Sequence, residues 1–298
     1  MTEVVSVVTD NPIKGRSLWD DAWDSLRRNR AAMTACGIMA AVIVLVLLGP
    51  LLSPYTIDDP DWDRISIGPD LASQHWFGTD DVGRDLFVRT LYGGRISLLV
   101  GLAATLVSLV IGIAWGATAG YAGGRVDQVM MRIVDVLYAL PFMFFVILLM
   151  VFFGRNIFLI FIAVGAINWL DMARIVRGQT LSLKKKEFIE AARAGGVSSF
   201  DIVRRHIVPN LLGVVVVYVT LTIPQVILVE SFLSFLGLGV QEPMTSWGAL
   251  VNDGAQAMEA APWALVFPAV FLALTLFCFN FIGDGLRDAL DPRDRRSE

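Results

Sequence analysis

The sequence predicts an all-α polytopic membrane protein with six transmembrane helices and both termini on the cytoplasmic side. Three observations carry this prediction. Hydrophobic residues make up 55% of the chain and charged residues 17%, where a soluble domain carries about a quarter charged. The apolar residues gather into blocks of roughly 20, the length at which a helix crosses about 30 Å of hydrocarbon. Lys and Arg concentrate in alternate loops, the bias that marks cytoplasmic segments.

The blocks are residues 31–52, 96–121, 133–153, 157–176, 211–229 and 263–282. The fourth is the least regular, because Asn168, Asp171 and Arg174 fall in its last turns. Of 24 Lys and Arg residues, 19 lie in the two tails and the second-to-third and fourth-to-fifth connections, with Arg174 counted there. The other three connections hold 5. The expected organisation is a cytoplasmic tail over 1–30, a first span over 31–52, an external loop over 53–95, a core over 96–285 with five spans, and a cytoplasmic tail over 286–298. The core includes a cytoplasmic loop over 177–210, an external turn at 154–156 and an external segment over 230–262. In the first tail, Leu18, Trp19, Trp23 and Leu26 recur near helical spacing, which predicts an amphipathic helix lying on membrane lipid. The N-terminus lacks the order of a cleaved signal peptide, so the first block reads as a retained span.

Several chemistries are excluded. Net charge is −4, so no basic excess points to nucleic acid. Cys36 and Cys278 both sit in apolar blocks, indicating neither a disulfide framework nor zinc. The G-x-x-x-x-G-K-S/T phosphate loop is missing, as are H-E-x-x-H and G-x-S-x-G. His75 and His206 fall on opposite sides of the membrane. In "GTDDVGRD", with His75 nearby, Asp80, Asp81 and Asp85 read better as turn formers and a helix cap than as a cation site.

Within the spans, Gly112, Gly116 and Gly120 form a small-xxx-small stripe suited to close helix approach, either inside this subunit or against a partner. Pro141, Pro224 and Pro268 interrupt the third, fifth and sixth blocks, where proline frees a carbonyl and kinks the helix. Asp135 and Glu230 are the ionisable residues nearest the hydrocarbon and face either a cavity or an interfacial partner. Asn280 reads as an interhelical hydrogen bond.

The polar interruption "EFIEAARAGGVSSFDIVRRHIVPN" is the most informative stretch. Ser182 is placed to cap a helix through "LKKKEFIEAARA", which Gly195 and Gly196 end. Ser198 with Asp201 forms a capping-box-like start for a second helix, which Pro209 ends. Ala191, Ala192 and Ala194 beside Glu187 and Glu190 give a small, flat surface suited to another protein's groove.

Glu190-Ala191-Ala192, Gly196 and His206-Ile207-Val208-Pro209 resemble the E-A-A-x-x-x-G-x(9)-I-x-L-P loop of bacterial ABC importer permeases. His206 stands where that pattern has Ile, and Val208 replaces Leu. "HWFGTDDVGRDLFVRTLYGGRISLLVG", "GYAGGRVDQVMMR", "ESFLSFLGLGVQEPMTSWG" and "CFNFIGDGLRDALDPRDR" extend the resemblance over nearly the whole chain, to the C-type permease subunits of peptide importers, the oligopeptide branch above the dipeptide branch.

The resemblance implies a type I ABC importer permease (MetI-like) fold and a non-catalytic subunit that imports oligopeptides, with dipeptides, nickel or glutathione as alternatives on the same architecture. It implies a heterodimer with a homologous B-type permease, two cytoplasmic ABC ATPase subunits and an external peptide-binding protein. No cofactor is expected on this chain; ATP and Mg belong to the ATPases. Residues 183–194 would be the coupling helix. Glu187 and Glu190 would make polar contacts in an ATPase groove, Ala191 and Ala192 allow close approach, Gly195 and Gly196 form the bend, and Pro209 closes the loop. Glu230, Ser231, Ser234 and Asn280 are candidate residues of the translocation path. An ion-coupled secondary transporter would instead show several acidic residues at mid-membrane and an internal repeat. An intramembrane enzyme would need a nucleophile with a base, or metal ligands, within the spans.

Overall fold

The computed structural model describes residues 18–153 and 157–290. The expected turn at 154–156, most of the first tail and the end of the last lie outside the described residues. The described chain is all-helical apart from isolated bridges in the segment after the first span. Helix α1 (Leu18–Arg28) meets α2 (Arg30–Leu48) at Asn29, whose side chain accepts from the Ala32 N–H at 3.1 Å and so caps α2. Ala22 and Leu26 of α1 pack with Ala32 and Ala289. Part of the face expected to lie on lipid is therefore covered by protein, leaving Trp23 exposed with the Arg27 guanidinium 4.8 Å from its ring centroid.

Helix α3 (Leu86–Ala122) starts well before the expected residue 96. Asp85 causes the early start, since its carboxylate accepts from the Val88 N–H at 2.8 Å and satisfies an orphan donor. The expected third span is two helices, α4 (Gly124–Ala139) and α5 (Phe142–Phe153). Between them Leu140 is extended (ψ 132°), because the ring of Pro141 bars the preceding residue from the helical region. Pro224 and Pro268, by contrast, stay inside continuous helices.

Helix α6 (Ile157–Leu183) is followed by α7 (Glu187–Ala194) and α8 (Ser199–Ile202). A π-helical turn, Val203–Ile207, then leads without a break into α9 (Val208–Phe235). Pro209 thus does not end a helix, as the sequence suggested; it lies in the first turn of α9. The wide turn, closed by the Val208 N–H on the Val203 carbonyl, makes room for a ring that would otherwise strike the carbonyl four residues back. The segment 230–262 holds an unexpected helix, α10 (Trp247–Gln256), capped by Ser246, and the last helix is α11 (Pro262–Leu290).

Among the described residues, four helical runs are long and apolar enough to cross a membrane: Arg30–Leu52, Leu86–Ala122, Ser199–Phe235 and Pro262–Leu290. The most intimate pairing is α3 on α6. Gly112 lies on Met172, Gly116 on the Ala173 carbonyl and Val176, and Gly120 on Thr180 and Arg177. The small-residue stripe is therefore a seam within this subunit. A Cβ at Gly116 would stand 2.9 Å from the Val176 Cβ and closer still to the Ala173 carbonyl oxygen, so neither backbone has room to yield. Gly116→Leu is expected to cost about 1–3 kcal/mol through overpacking, read as a lowered thermal midpoint of the purified protein. Gly37→Ala, with nothing within 4 Å of the added carbon, should match the parent or exceed it by up to about 1 kcal/mol.

Candidate functional site

Helix α7 turns its residues in two directions. Glu187, Glu190, Ala191 and Ala194 recur at i, i+3, i+4 and i+7 and are all exposed, forming one outward stripe. Ile189 is fully buried and Ala192 half-buried, one turn apart on the inward side. Both pack into a cluster with Val176, Ile202, Ile207 and Leu211. Ala192, expected with the outward alanines, is placed by helical phase beside Ile189 instead. Ile189, Ile202 and Ile207 are the inward anchors of the loop, and three branched apolar residues in so polar a stretch are their signal in the sequence. Phe188 on α7 and Phe200 on α8 are also exposed, at 43% and 72%.

The helix begins at Glu187, and Ser182 is not its cap: the Ser182 hydroxyl lies in the last turn of α6 and donates to the Gly178 carbonyl. Two carboxylates in the first turn, Glu187 and Glu190, complement the partial positive charge of the helix N-terminus. At the other end the Val197 N–H reaches the Ala192 carbonyl at 3.1 Å and the Gly196 N–H the Arg193 carbonyl at 3.1 Å, a Schellman motif. Only Gly196 takes the left-handed conformation (φ +78°); Gly195 is at φ −74°. The bend thus depends on one glycine, not two. The next helix starts as the sequence suggested, with the Ser198 hydroxyl accepting from the Asp201 N–H at 3.1 Å.

Three contacts fix this loop to the spans. Arg177 holds Asp127 in a two-pronged pair at 2.5 and 2.7 Å, tying α6 to α4. Lys184 Nζ donates to the Gly120 carbonyl at 2.8 Å, tying the α6–α7 link to the end of α3. The Arg193 guanidinium sits 5.6 Å from the Tyr121 ring centroid.

At the far end of α9, Glu230 is fully buried and accepts from Ser234 Oγ at 2.7 Å and Ser97 Oγ at 3.3 Å. Ser97 Oγ in turn accepts from the Trp247 N–H at 3.1 Å, and Ser234 Oγ lies 3.2 Å from Ser246 Oγ. This network fastens the start of α10 to α3 and α9. Ser231 is buried beside it, under Gly248. Glu230, Ser231 and Ser234 therefore face this subunit's interior. Asn280 is exposed and donates to the Leu276 carbonyl of its own helix at 2.8 Å, so that hydrogen bond is not interhelical. In the segments that follow α2 and α9, Arg84 bridges Asp80 at 2.7 Å and Glu242 at 2.6 Å, and the latter hydrogen bond holds the Glu242 carboxyl below its ordinary range. His75 shares a 2.8 Å hydrogen bond with Asp85 and stacks on Tyr55 at 4.1 Å between centroids.

A capped polar helix with a small outward stripe, carried by membrane-length apolar helices, defines a class. Residues 86–296 match the family described as "Binding-protein-dependent transport system inner membrane component", and the chain belongs to it. Residues 17–69 match the family "N-terminal TM domain of oligopeptide transport permease C". The chain is 62% identical over 283 residues to the oligopeptide transport system permease protein OppC of Escherichia coli, covering 95% of this chain and 94% of that one. To the OppC of Haemophilus influenzae it is 58% identical over 293 residues, covering 98% and 94%. To the dipeptide transport system permease protein DppC of Bacillus subtilis it is 47% identical over 281 residues, covering 94% and 87%.

The Schellman geometry sets a clear contrast. Gly196→Ala should destabilise by about 1–2 kcal/mol, since a Cβ in the left-handed region strikes the following carbonyl. Gly195→Ala should be neutral or stabilise by up to about 1 kcal/mol, because its backbone already suits alanine. Thermal midpoints of the two variants, compared side by side, check this.

Proposed function

We propose that this chain is a transmembrane permease subunit of an ATP-driven ABC importer of oligopeptides, and that α7 is the element through which ATPase subunits move it. The observation that carries this is the outward stripe of Glu187, Glu190, Ala191 and Ala194 on a helix bolted inward by Ile189. Small side chains let a groove approach the backbone closely, and the two carboxylates offer acceptors at its edge. Gly196 sets the angle at which the chain leaves α7. Pro209 marks the start of α9, the main part of the 37-residue helical run Ser199–Phe235 that carries any displacement of the loop outward to Glu230.

In this reading α4–α5 and α6 also cross the membrane, making six spans with both termini cytoplasmic. The distribution of Lys and Arg supports that orientation, as does the placement of α7 at the end of α6. A homologous B-type permease forms the other half of the path. Two cytoplasmic ATPases hold ATP and Mg, and an external peptide-binding protein docks on the face built from the segment after the first span and α10. The chain itself performs no chemistry. The higher identity to the two oligopeptide permeases, 62% and 58% against 47% for the dipeptide permease, favours the longer substrates.

Glu190→Lys and Gly196→Asp are each expected to abolish tripeptide uptake and peptide-stimulated ATP hydrolysis while the protein still reaches the membrane at parental levels. Normal uptake in both variants would overturn the coupling role. For topology, alkaline phosphatase fused after residue 298 should be inactive and after Trp62 active; the reverse pattern sinks the orientation.

A further inference from the structure

The sequence pointed to Glu230 and its neighbours as the translocation path, but those side chains are buried inside the subunit. A different polar group has the opposite property, lying at membrane depth while facing away from the subunit's core. Asp135 and Tyr138 come one turn apart on α4, and Asp171 and Arg174 one turn apart on α6. Arg174 Nη2 lies 3.0 Å from Asp135 Oδ1, with the two side chains 40% and 52% exposed. The same guanidinium covers the Tyr138 ring, 4.3 Å from its centroid, and Tyr138 Oη donates to Asp171 Oδ1 at 3.0 Å.

The depth of this group follows from the glycine seam. Met172 and Ala173 meet Gly112 and Gly116, within the apolar stretch "LVIGIAWGA" of a membrane-length helix. Asp171 lies about 8 Å along the helix from residue 176, the expected inner edge of its span. An aspartate is too short to carry its charge that far to the headgroups, as a lysine or arginine can. Ionised side chains facing lipid at that depth are costly and are normally turned to a cavity or a partner. Their exposed neighbours Val136, Leu137, Leu140 and Phe144 are apolar, so the polar group is a localised patch.

We propose that Asp135, Tyr138, Asp171 and Arg174 form the water-facing wall of the translocation path near its cytoplasmic end and contact the passing peptide. This rests on the transport reading above. The wall carries both signs of charge and a phenolic hydroxyl, which suits a zwitterionic chain. Asp135 and Asp171 accept from the terminal ammonium, and Arg174 receives the terminal carboxylate in the two-pronged geometry guanidinium favours. When no peptide is present, Arg174 and Asp135 satisfy each other. The break at Leu140–Pro141 adjoins the patch, where α4 and α5 meet as separate helices.

The test uses the full importer in inverted membrane vesicles, with Cys36 and Cys278 changed to serine. Tyr138→Cys and Arg174→Cys should react with a charged methanethiosulfonate at least an order of magnitude faster than Val44→Cys, which is exposed on α2. Saturating tripeptide, or trapping with ATP and vanadate, should change the rate severalfold at both positions. Inert cysteines, or labelling that ignores peptide and nucleotide as at a lipid interface, would overturn the proposal. Each position gives the reading independently, should one variant fail to insert. In parallel, Arg174→Gln should raise the KM for a free tripeptide severalfold and leave that for its C-terminal amide unchanged; equal effects on both would also overturn it. Wild-type uptake with inert cysteines refutes the wall alone, whereas ATP-dependent tripeptide uptake that persists when this chain is deleted refutes the transport reading.

Discussion

The contact between α3 and α6 is the constraint on which the rest of the molecule depends. Three glycines one turn apart bring two long helix backbones together, with Met172, Ala173, Val176 and Thr180 seated where side chains are missing. In an apolar solvent no hydrophobic gain favours this pairing, so close van der Waals packing must supply it. The pairing also sets heights. It places the end of α6, and hence α7, beyond the end of α3, where Lys184 closes on the Gly120 carbonyl. It holds Asp171 and Arg174 at the level of Gly112 and Gly116.

The polar loop between α6 and α9 is packed onto the long helices. Ile189, Ile202 and Ile207 enter one cluster with side chains of α3, α6 and α9, so a force on α7 acts on three helices together. The run from Ser199 to Phe235 continues past Pro209 and Pro224 to the buried Glu230 network. There the carboxylate gathers serine hydroxyls that also hold the Trp247 backbone. A satisfied buried polar network of this kind rigidifies and specifies its neighbours. Helices α10 and α7 are therefore fixed to opposite ends of the same rod.

The charges divide by what they face. Glu230 is turned inward and surrounded by hydroxyls, whereas Asp135 and Arg174 are turned outward and paired with each other. Both arrangements avoid an unpartnered ion in hydrocarbon, but only the second leaves polar groups available at the subunit surface. The segments after α2 and α9 use a third solution, with Arg84 clasping nearby Asp80 and, across a long sequence separation, Glu242.

The helical class, the membrane-length blocks, the caps at Asp85 and Ser198 and the polar loop were legible in the sequence, because each depends on neighbours a few residues apart. Capping, proline geometry and glycine-ended helices are local physics. The break at Leu140 followed from Pro141 by the same logic. Other features were not legible. The sequence marked Gly112, Gly116 and Gly120 as a seam, but which helix fills it depends on a chain segment far along the sequence. Glu230 looked like a path residue because burial and exposure are properties of packed helices, not of hydropathy. Pro209 looked like a terminator because a widened turn is invisible to residue pattern. Only the tertiary structure, by rotating α4 and α6 until Asp135, Tyr138, Asp171 and Arg174 met on one surface, decided which polar groups could face a path. Local chemistry chose the helices; the close packing of backbones chose their faces.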